Sequence, residues 1–132
     1  MNERYIRQTM IPEIGEAGQE KLKNAKVLIV GIGGLGSPIS LYLTAAGVGQ
    51  IGLIDDDIVS RSNLQRQILY TEAEIGQSKV ECACRRLSAL NSSTRFETYL
   101  NRFTSDNADR LVSAYDIIID GCDNAATRYL ID

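Results

Sequence analysis

The chemistry this sequence offers rests on a set of glycines and a handful of charged residues. Gly31, Gly33 and Gly36 follow the apolar run Val27-Leu28-Ile29-Val30 in a G-x-G-x-x-G spacing, and a helical pattern begins at Ser37. Each glycine answers a separate demand. Gly31 permits a tight turn, Gly33 leaves bare backbone for a phosphate to approach, and Gly36 lets the helix lie close to the strand. The extra Gly34 fits the same close approach. The helix start then offers unpaired N–H groups and a partial positive charge to an anion. Asp55, 24 residues beyond Gly31, ends a second apolar run and is placed to accept hydrogen bonds from a ribose. Asp56 and Asp57 follow it, either as part of a site or as solvated loop residues.

A third apolar run leads into Gly121-Cys122-Asp123-Asn124. A carboxylate beside phosphates repels them unless a divalent cation lies between. Mg²⁺ takes one or two carboxylates plus phosphate oxygens, so Asp123 is the metal candidate and Asp120 its competitor. The alternative is that Asp123 or Asn124 caps the last helix. Arg66 and Lys79 add cations suited to a triphosphate or a departing pyrophosphate. An NAD-dependent oxidoreductase would use the three glycines and Asp55 but gives no reason for the cations and the metal. Phosphate chemistry uses all of them. No G-x-x-x-x-G-K-[ST] string occurs, which excludes a P-loop NTPase. A non-catalytic module that binds nucleotide or dimerises is the third reading.

The elements that must position these residues alternate. Strands are predicted at 27–30, 50–54, 94–100 and 116–120, and helices at 18–24, 37–46, 76–90, 106–114 and from about 125 onward. Such alternation predicts a Rossmann-like α/β domain: a mainly parallel sheet with helices on both faces, after a short N-terminal helical segment. Ligands then bind beyond the C-terminal strand ends, where the glycine turn, Asp55 and 121–124 converge. The alternation at 94–100 puts Phe96, Thr98 and Leu100 on one face, 116–120 reads as a buried strand, and Val80, Cys84, Leu87 and Leu90 share a helix face. The chain ends one element after the fourth strand, so a truncated sheet is expected.

Composition narrows the classes. At 132 residues there is one domain. A formal net charge of −3 gives no electrostatic case for nucleic acid, and no apolar run reaches membrane-spanning length. The start of the chain lacks a signal peptide's apolar core, so a cytoplasmic protein is expected. Three cysteines without a C-x-x-C pair argue against a disulfide framework or a complete zinc site, and the absence of histidine removes the commonest general base.

Several strings occur in order: Arg4-Tyr5-x-Arg7-Gln8, Gly18-Gln19-Glu20-Lys21-Leu22, Gly31-x-Gly33-Gly34-x-Gly36, Asp55-x-Asp57 with Ser62-Asn63-Leu64-Gln65-Arg66-Gln67, Gly76-x-x-Lys79, and Cys122-Asp123-Asn124. Together they resemble the ThiF/MoeB/HesA family, bacterial relatives of ubiquitin-activating enzymes. The resemblance implies binding of ATP with Mg²⁺ and adenylation of the C-terminal glycine of a ubiquitin-like sulfur-carrier protein, with release of pyrophosphate. By similarity Gly34 and its neighbours contact the nucleotide and Asp55 holds the ribose. Asn63, Arg66 and Lys79 reach the phosphates, and Asp123 coordinates Mg²⁺. Asp57, Ser62 and Asn124 belong to the same motifs. Arg7 resembles an arginine that reaches across a homodimer into the neighbour's site. In the family the carrier-binding sheet, the transfer cysteine and the C-x-x-C zinc pairs lie beyond the stretch matched here.

Overall fold

The computed structural model describes residues 3–121. Cys122, Asp123, Asn124 and the helix predicted from about 125 lie outside the described residues. After a 3₁₀ turn at Glu3–Tyr5 come α1 (Ile6–Thr9), α2 (Gly15–Asn24), β1 (Lys26–Val30), α3 (Gly36–Ala46) and β2 (Gln50–Ile54). They are followed by α4 (Lys79–Leu90), β3 (Arg95–Tyr99), α5 (Ser105–Ala114) and β4 (Ile117–Asp120). The four strands form one parallel sheet in the order β3-β2-β1-β4.

The two central strands carry the apolar runs because both of their faces are covered. Alternate residues of β1 and β2 feed two cores. Val27, Ile29, Ile51 and Leu53 pack with Val80 and Leu87 of α4 and with Ile39 and Leu43 of α3. Leu28, Val30 and Ile54 pack on the other face with Ala108 and Leu111 of α5, Phe103 and Tyr115. Ile29, Ile51, Leu53 and Leu28 are fully buried. Each such side chain contributes roughly 1.5–3 kcal/mol, so these few residues fix which strands lie in the middle.

The edges depart from the expectation. Phe96 joins the first core, but Tyr99 packs on the opposite face, while Leu100 is 54% exposed and Thr98 is also exposed. An edge strand is only partly covered on either face, so its alternation does not define one buried side. For the same reason β4 is not a buried strand: among the described residues it is the other edge, and Ile117 is 52% exposed. In α4, Cys82 and Ala83 are buried while Cys84 and Leu90 are only half-buried. One flank of that helix meets Val59, Leu69 and Tyr70 from the long connection after β2, in the same core as Cys82. Among the described residues no helix is long and apolar enough to cross a membrane.

Candidate functional site

A cavity of about 790 Å³ opens beyond the C-terminal ends of the strands. Gly31, Gly33 and Gly34 form one wall and Asp55, Asp56 and Asp57 another. Asn63, Arg66 and Lys79 line it as well, so these nine residues, all singled out in the sequence, meet around one space.

The glycine turn is built by close approach. Gly31 has φ +90°, a left-handed conformation that favours glycine, and its N–H donates to the Ile54 carbonyl at 2.9 Å. A Cβ on Gly36 would collide with the Gly31 carbonyl oxygen, and one on Gly121 would crowd the same oxygen. Gly121, at the end of β4, is thus a further glycine of the turn, set by a strand distant in sequence. Helix α3 starts with no side-chain cap, and among the described residues the N–H groups of Gly33 and Gly34 donate to no protein acceptor. The turn therefore presents unsatisfied donors at a helix N-terminus.

Asp55 is half-buried, and its carboxylate is already at work. Oδ2 accepts from the Ile32 N–H at 2.8 Å and Oδ1 from the Asp57 N–H at 2.8 Å. It ties the glycine turn to the end of β2. A carboxylate offers about four lone-pair sites, so about two remain to accept from other donors.

The connection after β2 covers the turn from above. The Arg66 stem lies 3.6–3.8 Å from where a Gly34 Cβ would sit, and the Gln67 amide nitrogen 3.3 Å from the corresponding Gly33 position. These glycines therefore make room for protein side chains as well as for a ligand. The Arg66 guanidinium donates to the Ser62 carbonyl at 3.3 Å and is otherwise exposed at the cavity. Lys79 is delivered by a short pairing of 57–59 with 76–79, including Val59 N–H to Gln77 C=O at 2.8 Å and Lys79 N–H to Asp57 C=O at 3.1 Å. Its side chain is 5% exposed, and its ammonium lies 3.4 Å from an Asp57 carboxylate oxygen that is itself largely in solvent.

Sequence reasoning missed part of the lining. Asn101, Arg102 and Phe103 come from the loop after β3, with the Arg102 Nε 3.9 Å from an Asp56 oxygen. Gln67 is 4% exposed and its carbonyl oxygen has no partner among the described residues, although it stands in a polar stretch. Gly36, Ser62 and Arg7 do not line the cavity. Ser62 faces Ser60, their hydroxyls 3.4 Å apart. Arg7 is exposed on α1, which sits at the opposite end of the sheet: its neighbour Gln8 donates to the Ala46 carbonyl at the end of α3. Asp123 and Asn124 lie outside the described residues, and no group of three or more potential metal ligands occurs among those described.

The model of the ThiF family matches residues 5–132. The chain belongs to the ThiF family. Among relatives, a sulfur carrier protein adenylyltransferase from Thermus thermophilus is 48% identical over 130 residues, covering 98% of this chain and 48% of that protein. The adenylyltransferase and sulfurtransferase MOCS3 of Culex quinquefasciatus is 52% identical over 129 residues, covering 98% of this chain and 30% of that protein. A crystal structure of E. coli tRNA N6-threonylcarbamoyladenosine dehydratase, TcdA, in complex with ATP superposes with a TM-score of 0.91 at 29% identity, covering 98% of this chain and 53% of that one. This ThiF-family chain thus spans about half or less of the length of these relatives.

Proposed function

We propose that this chain is the nucleotide-binding part of an adenylyltransferase that activates a ubiquitin-like sulfur-carrier protein. One observation carries the reading: two cations, Arg66 and Lys79, share a cavity with the unsatisfied N–H groups of Gly33 and Gly34. That is a polyphosphate environment, and Asp55 at the end of β2 suits the ribose of ATP. The names of the Thermus and mosquito relatives and the ATP in the TcdA structure support the same class.

The chemistry needs no histidine. The carrier's C-terminal carboxylate is already ionised at neutral pH and attacks the α-phosphorus. A new C(O)–O–P bond forms, the bond from the α-phosphorus to the bridging oxygen breaks, and pyrophosphate leaves with the electron pair. Lys79 and Arg66 offset the charge that builds on the phosphates, and the turn N–H groups hold them in line. Mg²⁺, when bound, would neutralise phosphate charge, and Asp123 is its proposed ligand. We also assign Asn63 to the phosphates, Ser62 and Asp57 to the rim of the nucleotide site, and Asn124 to support beside Asp123. Arg7, remote from its own cavity, is assigned to the cavity of a second copy in a homodimer, in the cytoplasm where ATP is available.

Calorimetry of the full-length protein with ATP and Mg²⁺ tests the reading. The parent binds, and Lys79→Ala and Asp123→Ala weaken binding about ten- to a hundredfold. Equal binding by both variants would remove the assignment, and tight NADH binding without ATP binding would replace it with the oxidoreductase reading.

A further inference from the structure

Ile32 sits at the centre of the glycine turn and is held on three sides. Its side chain is fully buried. Its N–H donates to Asp55 Oδ2 at 2.8 Å, and its carbonyl accepts from the Tyr70 hydroxyl at 2.7 Å. Tyr70 is 6% exposed and does not line the cavity, so it cannot touch a ligand there. Its effect must pass through the peptide it holds.

All described peptide bonds are trans. In a planar trans peptide the carbonyl and the next N–H point in opposite directions. Fixing the Ile32 carbonyl on Tyr70 therefore fixes the Gly33 N–H facing away from Tyr70. That N–H belongs to a cavity-lining residue and has no protein acceptor among the described residues. Asp55 pins the preceding peptide plane in the same way. Glycine adopts many backbone conformations at little cost, so a run with Gly31, Gly33 and Gly34 would otherwise sample several N–H directions.

We propose that Tyr70 is a positioning residue for the phosphates: its hydroxyl orients the Ile32–Gly33 peptide so that the turn's N–H groups are preset toward the anion. This rests on the nucleotide-site reading given above. A tyrosine is a protonated donor at physiological pH, and burial and the nearby Asp55 carboxylate push the Tyr70 hydroxyl further up, so it stays a donor into alkaline solution. Its neighbours in the connection grip the following turn residues, Gln67 against Gly33 and Arg66 against Gly34. The grip by Tyr70 differs in being a directional hydrogen bond to the backbone.

The test is Tyr70→Phe in the full-length protein, which removes one oxygen and keeps the ring. ATP with Mg²⁺ and adenosine, which has no phosphate, are titrated into parent and variant by calorimetry. ATP affinity should fall about tenfold, and adenosine affinity should stay within a factor of two. Unchanged ATP affinity would overturn the proposal. So would an equal loss for both ligands, or a variant that no longer folds at the assay temperature, because Tyr70 would then serve the fold rather than the phosphates. A parent that binds no ATP at all would instead bring down the nucleotide-site reading, and this inference with it.

Discussion

Lys79 and Asp57 form an ion pair in which one partner is shielded from water and the other is not: the ammonium is 5% exposed at the side chain, the carboxylate 69%, at 3.4 Å. A buried cation pays for desolvation and recovers little from a partner in high dielectric. Asp57 tethers Lys79 without neutralising it. This placement is what the proposed phosphate-binding role of Lys79 would use.

The pair makes opposite predictions for stability and binding. Lys79→Met keeps the stem and leaves behind only an exposed carboxylate. Its urea midpoint should match the parent's or rise, by up to about 1 kcal/mol in unfolding free energy. Its ATP affinity should fall at least tenfold. Urea titration and calorimetry on one preparation measure both.

The glycines of the turn should separate by what a Cβ meets. Gly36→Ala drives a methyl into the Gly31 carbonyl, and Gly121→Ala does the same from β4. Each should cost about 3 kcal/mol or more, or prevent folding. Gly34→Ala meets only the flexible Arg66 stem at 3.6 Å. That variant should fold within about 1 kcal/mol of the parent yet lose nucleotide binding. Thermal melts followed by calorimetry distinguish the two classes.

How much of this was legible in the sequence follows from which residues act locally. The strand, glycine turn and helix are encoded within 27–46, and Asp55 sits at the end of the next strand, so motif spacing found them. Arg66 and Lys79 were found by charge and motif. The wall formed by Asn101, Arg102 and Phe103 was not, because it depends on β3 pairing beside β2 at the sheet edge, a contact made by tertiary structure. The strand end placed Gly121 at the crevice, but not its close packing on the Gly31 carbonyl, which requires β4 to pair with β1. Gln67 and Tyr70 lie in a polar connection whose burial comes from folding back over the turn. The edge strands misled in the other direction, since apolar content at Ile117 and alternation at Thr98 and Leu100 do not ensure cover on both faces.

Asp55 should matter to the fold more than its neighbour. Its two backbone hydrogen bonds are charge-assisted, and Asp55→Asn can replace only one acceptor oxygen. A loss of about 1–3 kcal/mol is expected. Asp56→Asn breaks only a 3.9 Å contact with a half-exposed arginine and should be neutral. Chemical denaturation of both variants checks the contrast.

Alkaline pH should expose the buried tyrosines. Tyr70 and Tyr115 start from an ordinary value of 10.0, and burial raises both, with the Tyr99 hydroxyl 2.9 Å from that of Tyr115 adding to the rise. The unfolded chain releases these protons first. Their contribution is therefore complete below about pH 10 and is lost as pH rises from there toward the higher folded values. Unfolding free energy should fall above pH 10, and the combined Tyr70→Phe and Tyr115→Phe variant should show a shallower fall. An equally steep fall would place the alkaline sensitivity elsewhere.

We propose that the cavity beside the glycine turn binds ATP for carboxylate activation. Exchange of labelled pyrophosphate into ATP, catalysed by the full-length protein with a sulfur carrier ending in glycine, tests it most directly. Exchange should require the carrier, disappear when its terminal glycine is removed, and drop at least a hundredfold in Lys79→Ala. Lys79→Ala exchanging at the parent's rate, or no exchange with an intact carrier while NADH binds tightly, would contradict it.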